Sequence, residues 1–104
     1  MQNCNYLLNV QREGVYFVED GDTLDSIADK FSTTKELIVK ENRLENGVNV
    51  GDIIYIKSYK TVYTIKVEDT PETVAKALNL SVEEMYRINK INYVYPFMKV
   101  VSDN

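Results

Sequence analysis

The sequence repeats itself at a constant spacing. Val15-Tyr16-Phe17-Val18, Asp22-Thr23, Ala28, Glu36 and Asn42 recur as Val62-Tyr63-Thr64-Ile65, Asp69-Thr70, Ala75, Glu83 and Asn89, every identical residue 47 positions after its partner. Conservative pairs keep the same offset: Ile27 with Val74, Phe31 with Leu78, Ile38 with Met85, Lys40 with Arg87 and Leu44 with Ile91. Such a period fixes the architecture before any local reading. The chain is two copies of one small supersecondary unit, not a single domain around one site. A unit of roughly 45 residues lies near the lower limit of independent folding. A few apolar side chains per copy must therefore supply most of the stability, at about 1.5–3 kcal/mol for each one fully buried.

Composition removes several chemistries. No histidine occurs, so the commonest general base and metal ligand are missing. Cys4 is the sole cysteine, which excludes an intrachain disulfide and a cysteine-rich zinc site. No cofactor is expected. The net charge is −4 and no Lys/Arg cluster exists, so nothing marks a nucleic-acid footprint. Lys57, Lys60 and Lys66 are scattered and read as solvated positions. No stretch approaches the length of a membrane span, and the first residues lack the basic and apolar regions of a secretory leader. The sequence as written therefore predicts synthesis without general secretion, with lysis or a phage or spore structure as routes to the outside.

Local patterns predict the same plan in each copy. Val15 to Val18 follows Gly14 as a short strand, and Glu19-Asp20-Gly21-Asp22 is a turn. Thr23 fits a helix N-cap, with Asp25 near the positive helix end. Leu24, Ile27, Ala28 and Phe31 form an amphipathic stripe. Ser32-Thr33-Thr34 breaks that helix, and Thr33-Thr34-Lys35-Glu36 matches a capping box opening a second one through Leu37 and Ile38 to Asn42. A loop to Gly51 precedes a closing strand, Ile53 to Ile56. In the second copy Val62 to Val67 is the strand, and Thr70-Pro71 is a cap followed by proline at the first helical position. Val74, Ala75 and Leu78 are the stripe, and Ser81-Val82-Glu83-Glu84 is a capping box. Met85 and Ile88 face inward, Asn89 ends the helix, and Phe97 to Val101 closes the sheet about three residues early. The expected fold class is α+β. Residues 1–14 are an N-terminal extension, residues 15–58 the first module and residues 62–102 the second, with a short linker from Ser58 to Thr61. Tyr6-Leu7-Leu8-Asn9-Val10 reads as an extra edge strand or a clasp.

Taken in order, Val15-Tyr16, Gly21-Asp22-Thr23-Leu24, Ile27-Ala28, Phe31, Leu37-Ile38, Asn42 and Val50-Gly51-Asp52 before the last strand resemble the LysM domain. The second copy is a degenerate relative: Glu68 and Pro71 replace the family's Gly and Leu, and the Val-Gly-Asp element has no counterpart. The resemblance implies a βααβ module, two helices on one face of a two-stranded antiparallel sheet. It also implies non-catalytic binding of N-acetylglucosamine polymers, either bacterial peptidoglycan or chitin-like oligomers. The site it implies is a shallow groove with Gly21, Asp22, Thr23 and Leu24 on one side and Asn42, Arg43, Leu44 and Glu45 on the other. Glycine permits close backbone approach, and helix-start N–H groups are natural donors to an acetamide carbonyl.

Each of these residues also has a purely structural reading. Thr23 and Thr70 are caps without any ligand. Asp22 shapes a turn, Asn42 and Asn89 brace helix ends or loops, Leu24 is core, and Tyr16 and Tyr63 are sheet residues. Tyr93 and Tyr95 either stack on sugar faces or pack against module one or the linker. Catalysis is not expected, because a glycosidase pair needs two carboxylates across a cleft about 5–10 Å apart. Two functions follow. One is glycan recognition through the first module, favoured by Gly21-Asp22-Thr23-Leu24. The other is a LysM-type scaffold for protein–protein assembly in a phage tail or spore layer, favoured by the eroded second copy.

Overall fold

The computed structural model describes residues 13–104; Cys4 and the Tyr6–Val10 segment lie outside the described residues. The chain divides into two units between Ser58 and Tyr59. Module one contains β1 (Glu13–Phe17), α1 (Leu24–Phe31), α2 (Lys35–Asn42) and β2 (Ile53–Lys57). Module two contains β3 (Thr61–Thr64), α3 (Pro71–Ala77), α4 (Val82–Asn89) and β4 (Lys99–Ser102). Each has its own two-stranded antiparallel sheet, β1 with β2 and β3 with β4, so the α+β tandem architecture holds. Val15 pairs with Tyr55 and Tyr16 with Ile54; Tyr63 pairs with Val100 and Val62 with Val101.

The cores follow the sequence stripes. Tyr16, Val18, Ile27, Ala28, Phe31, Ile38, Ile54 and Ile56 pack together in module one. Ile65, Val74, Ala75, Leu78, Met85, Met98 and Val100 do so in module two. Alternation along β1 and β2 sends Val15, Phe17, Ile53 and Tyr55 outward, where they stay exposed.

Local chemistry sets the helix starts. Thr23 accepts from the Ser26 N–H at 3.0 Å, and the Ser26 hydroxyl oxygen accepts from the Thr23 N–H at 2.9 Å. Thr70 and Thr73 repeat that reciprocal pair, as do Ser81 and Glu84. Second helices begin one residue later than the Thr33 capping box predicts in module one. The cap is Thr34, which accepts from Leu37 N–H at 3.1 Å, and leucine at that third position returns no bond. The constant offset carried this signal, because Thr34 and not Thr33 lies 47 residues before the cap Ser81. Thr33 is buried and its hydroxyl has no partner.

Several strand limits differ from the sequence expectation. β1 starts at Glu13, before Val15. β3 ends at Thr64 because Lys66 to Asp69 closes a turn, with the Asp69 N–H donating to the Lys66 carbonyl at 3.1 Å. β4 starts at Lys99 because Tyr95 to Met98 is also a turn. That turn is the counterpart the sequence reading denied to Val50-Gly51-Asp52. Gly51 N–H donates to the Val18 carbonyl at 2.8 Å, and Phe97 N–H donates to the Ile65 carbonyl at 2.8 Å. Pro96-Phe97-Met98 therefore occupies the place of Val50-Gly51-Asp52. The loop is shorter by one residue, not three: equivalent bonds join Asn42 to Tyr55 across 13 positions and Asn89 to Val101 across 12.

Those asparagine bonds close each module. Asn42 donates from Nδ2 to the Ile38 carbonyl (2.9 Å) and the Tyr55 carbonyl (2.8 Å), and its Oδ1 accepts from the Tyr55 N–H (2.7 Å). Asn89 does the same with the Met85 carbonyl (2.9 Å), the Val101 carbonyl (3.1 Å) and the Val101 N–H (2.7 Å). The brace reading of both residues is the one observed; the left-handed caps are Arg43 and Lys90.

Asn89 is buried and Asn42 only half-buried, so the two braces differ in worth. Asn89→Ala strands buried backbone groups and is expected to destabilise module two by about 2–3 kcal/mol in urea unfolding. Asn42→Ala, two of whose three bonds are exposed and the third only half-buried, is expected to lose about 1 kcal/mol. Thr33→Val, which deletes an orphaned hydroxyl at nearly constant volume, is expected to be neutral or stabilising.

Candidate functional site

Four of the eight candidate residues precede or open α1, and the other four end α2 and begin the following loop. Leu24 and Leu44 both pack, half-buried, on the rim of the module-one core. Gly21 has φ +89°, and the Asp22 N–H donates to the Glu19 carbonyl at 3.1 Å, the pattern of a turn that needs a left-handed third residue. A Cβ at Gly21 would meet nothing within 4 Å, so its backbone is open. Thr23, Arg43 and Glu45 are exposed.

Three candidates already have partners, and the Thr23 hydroxyl is one of them, as the cap of α1. Asp22 Oδ2 accepts from the Tyr16 hydroxyl at 2.6 Å and from the Glu19 N–H at 2.8 Å. Asn42 is spent on the brace described above. Their side chains hold loops in place, whereas the Gly21 backbone is open and the Arg43 and Glu45 side chains are exposed. Leu24 lies on the core rim.

The tyrosine–aspartate bond was missed by sequence reasoning, although both residues recur at the repeat offset. Tyr63 donates to Asp69 Oδ2 at 2.6 Å, and the Lys66 N–H donates to the same oxygen at 2.8 Å. In each copy the first strand is tied to the turn that leads into the first helix. Module one adds Lys30, whose Nζ donates to the Tyr16 hydroxyl oxygen at 3.0 Å and lies 4.9 Å from the Tyr16 ring centre. Module two has Ala77 at that position and uses Thr73, which donates to Asp69 Oδ1 at 2.8 Å.

Titration follows this wiring. Slight desolvation opposes ionisation of Asp22, but the bonds from Tyr16 and Glu19 and the charge of Lys30 bring its carboxyl below the usual value. Asp69 is lowered by Tyr63, Lys66 and Thr73. Tyr55 donates to Glu13 Oε1 at 2.5 Å, and that bond, with burial, pushes its phenol up to about 12.

Other arrangements are simpler. A shallow depression between α3 and α4 is lined by Glu72, Lys76, Asn79, Ser81, Val82 and Glu84, and none of the candidate residues touches it. Among the described residues no group of acidic, His or Cys side chains could hold a metal ion, and no helix is long and apolar enough to cross a membrane. Tyr93 and Tyr95 stack on each other in an exposed loop, with ring centres 5.7 Å apart.

The βααβ modules with caps and braces at matched positions define a class of small repeat domain. The LysM domain family matches residues 16–57 and again residues 63–101, and the chain belongs to that family. LysM domains bind N-acetylglucosamine-containing glycans and are not themselves catalytic. No curated protein matches the sequence. Among solved structures it is similar to the Bacillus cereus spore cortex-lytic enzyme SleL, at 19% identity and a TM-score of 0.43, over 86% of this chain and 22% of that one. It is also similar to the Bacillus megaterium QM B1551 spore cortex-lytic enzyme SleL, at 26% identity and a TM-score of 0.42, again over 86% of this chain and 22% of that one. The chain thus spans about a fifth of the length of these enzymes.

Because the folded carboxyls of Asp22 and Asp69 titrate below their ordinary value of 3.8, their stabilisation is present above that pH and disappears as pH falls through the folded values. Tyr55 has the opposite sense: its contribution is present below pH 10 and is lost between pH 10 and about 12. Urea midpoints measured across both ranges are expected to fall at each end, and Tyr55→Phe is expected to make the alkaline limb shallower while Tyr16 and Tyr63, whose phenols are also raised, keep part of it.

Proposed function

We propose that module one is a non-catalytic binding site for N-acetylglucosamine-containing glycan, of the bacterial peptidoglycan or chitin-like type. The carrying observation is that Leu24 and Leu44 both pack, half-buried, against the module-one core. It leaves an apolar floor beneath an open Gly21 backbone and an exposed Thr23. The acetamido methyl rests on that floor, and backbone groups of the turn and helix start serve the acetamide. Asp22 and Asn42 contribute by holding the two loops, not by touching sugar. Module two has Glu68 and Pro71 in place of Gly21 and Leu24, so its corresponding groove is the weaker of the two. A shallow neutral site of this kind supports binding without chemistry, since nothing in it provides a nucleophile and base.

Titrating the full chain with N-acetylglucosamine oligomers, and following backbone amides by NMR, tests this reading. Shifts are expected at residues 20–24 and 42–45 and not at 68–71. No shift anywhere at about millimolar sugar would refute the proposal. Candidate contacts carry both signs, Glu45 against Arg43, in a chain of net charge −4. Retention on insoluble peptidoglycan is therefore expected to change little with salt, and a loss of about tenfold between low and high salt would contradict a neutral groove.

A further inference from the structure

The sheet-closing turns of the two copies make the same bonds with opposite side-chain choices. In module one, Asp52 N–H donates to the Asn49 carbonyl at 3.0 Å, and Gly51 takes φ +92°. In module two, Met98 N–H donates to the Tyr95 carbonyl at 3.3 Å, and Phe97 takes φ +72°. Proline at the second position suits such a turn, and a left-handed third position calls for glycine. A bulky residue there is an outlier held against its own backbone preference. Burial does not compensate, because the Phe97 side chain is 74% exposed. Nothing in the folded module uses this ring, and module one shows that the turn closes without it.

Phe97 is not alone. Tyr93 and Tyr95 are 54% and 43% exposed, and their rings stack with centres 5.7 Å apart and planes 22° from parallel. We propose that Tyr93, Tyr95 and Phe97 form an aromatic carbohydrate contact on module two, taking the apolar faces of pyranose rings in an N-acetylglucosamine-containing strand. The proposal rests on the glycan reading of module one and adds a second contact of different chemistry, outside the positions equivalent to the groove. A pyranose presents C–H faces with a polar rim, which suits an aromatic face carrying phenol hydroxyls at its edge. The mutual stack holds the tyrosine rings before any ligand arrives, so little side-chain freedom is lost on binding. A nucleic-acid strand would also stack on such rings, but a chain of net charge −4 without a basic cluster repels its phosphates. Its place in the repeat also favours sugar: the segment from Lys90 to Met98 is the counterpart of the module-one loop that carries Arg43, Leu44 and Glu45.

The test uses the full chain, aromatic and amide NMR, and N-acetylglucosamine oligomers. Wild type, Phe97→Gly and the double variant Tyr93→Ala/Tyr95→Ala are compared. Ring resonances of Tyr93, Tyr95 and Phe97 are expected to shift with sugar. Phe97→Gly is expected to weaken that response by about threefold or more, with a thermal midpoint no lower than wild type. The double variant is expected to weaken it likewise while leaving shifts at residues 20–24 in place. If residues 20–24 and 42–45 respond while the three rings stay still, this inference fails and the module-one reading stands. If nothing responds, both fail. Ring shifts that follow protein concentration without sugar would mark a contact between copies and overturn the inference. So would a Phe97→Gly variant that loses stability but binds normally.

Discussion

Among the described residues each module has a sheet of two strands, so every strand is an edge with backbone groups turned away from its partner. The Asn42 and Asn89 side chains meet that constraint. An amide offers one acceptor and two donors, enough to pair both backbone groups of a strand residue and one helix carbonyl at once. In antiparallel pairing, alternate residues leave N–H and C=O pointing outward. Tyr55 and Val101 are such residues, and the asparagine stands where a third strand would pair. One side chain therefore finishes the sheet, fixes the end of the second helix and sets where the following loop begins. The loop carrying Arg43, Leu44 and Glu45 takes its position from that point.

The tyrosine–aspartate pair plays the matching part at the other loop. Tyr16 is buried in the core, and its hydroxyl reaches Asp22, so the turn before α1 is tied to the strand before it. A site this small gains from such wiring, since residues that hold loops need not touch a ligand to decide its affinity. Where the copies agree, at these ties, they share a scaffold. Where they differ, at Gly21 against Glu68, Leu24 against Pro71 and Gly51 against Phe97, the surface differs.

Much of this was legible in the sequence because the repeat made each reading count twice. Thr23, Thr70 and Ser81 were readable as caps, and the helix stripes marked the cores except at Ile88, read as inward-facing, which is half-buried and outside the module-two cluster. The errors came from places where one copy was read without the other. Thr33 looked like a capping box by local spacing, while the offset from Ser81 pointed to Thr34. The closing turn of module two was invisible because Pro96-Phe97-Met98 keeps its geometry without the glycine that signals it. The asparagine and tyrosine bonds are long-range and leave only coincident spacing as a trace. For the candidate groove, sequence located the loops through family resemblance. It could not distinguish Asp22, Thr23 and Asn42, which are bonded internally, from Gly21, whose backbone is open.

Native-state hydrogen exchange at Tyr55 and Val101 tests the central claim most directly. If the asparagine side chains complete the sheets, both amides exchange slowly, near the rates of amides bonded between the paired strands, and become fast when Asn42 or Asn89 is replaced by alanine. Exchange in the wild-type protein as fast as at solvent-facing edge amides would contradict the account.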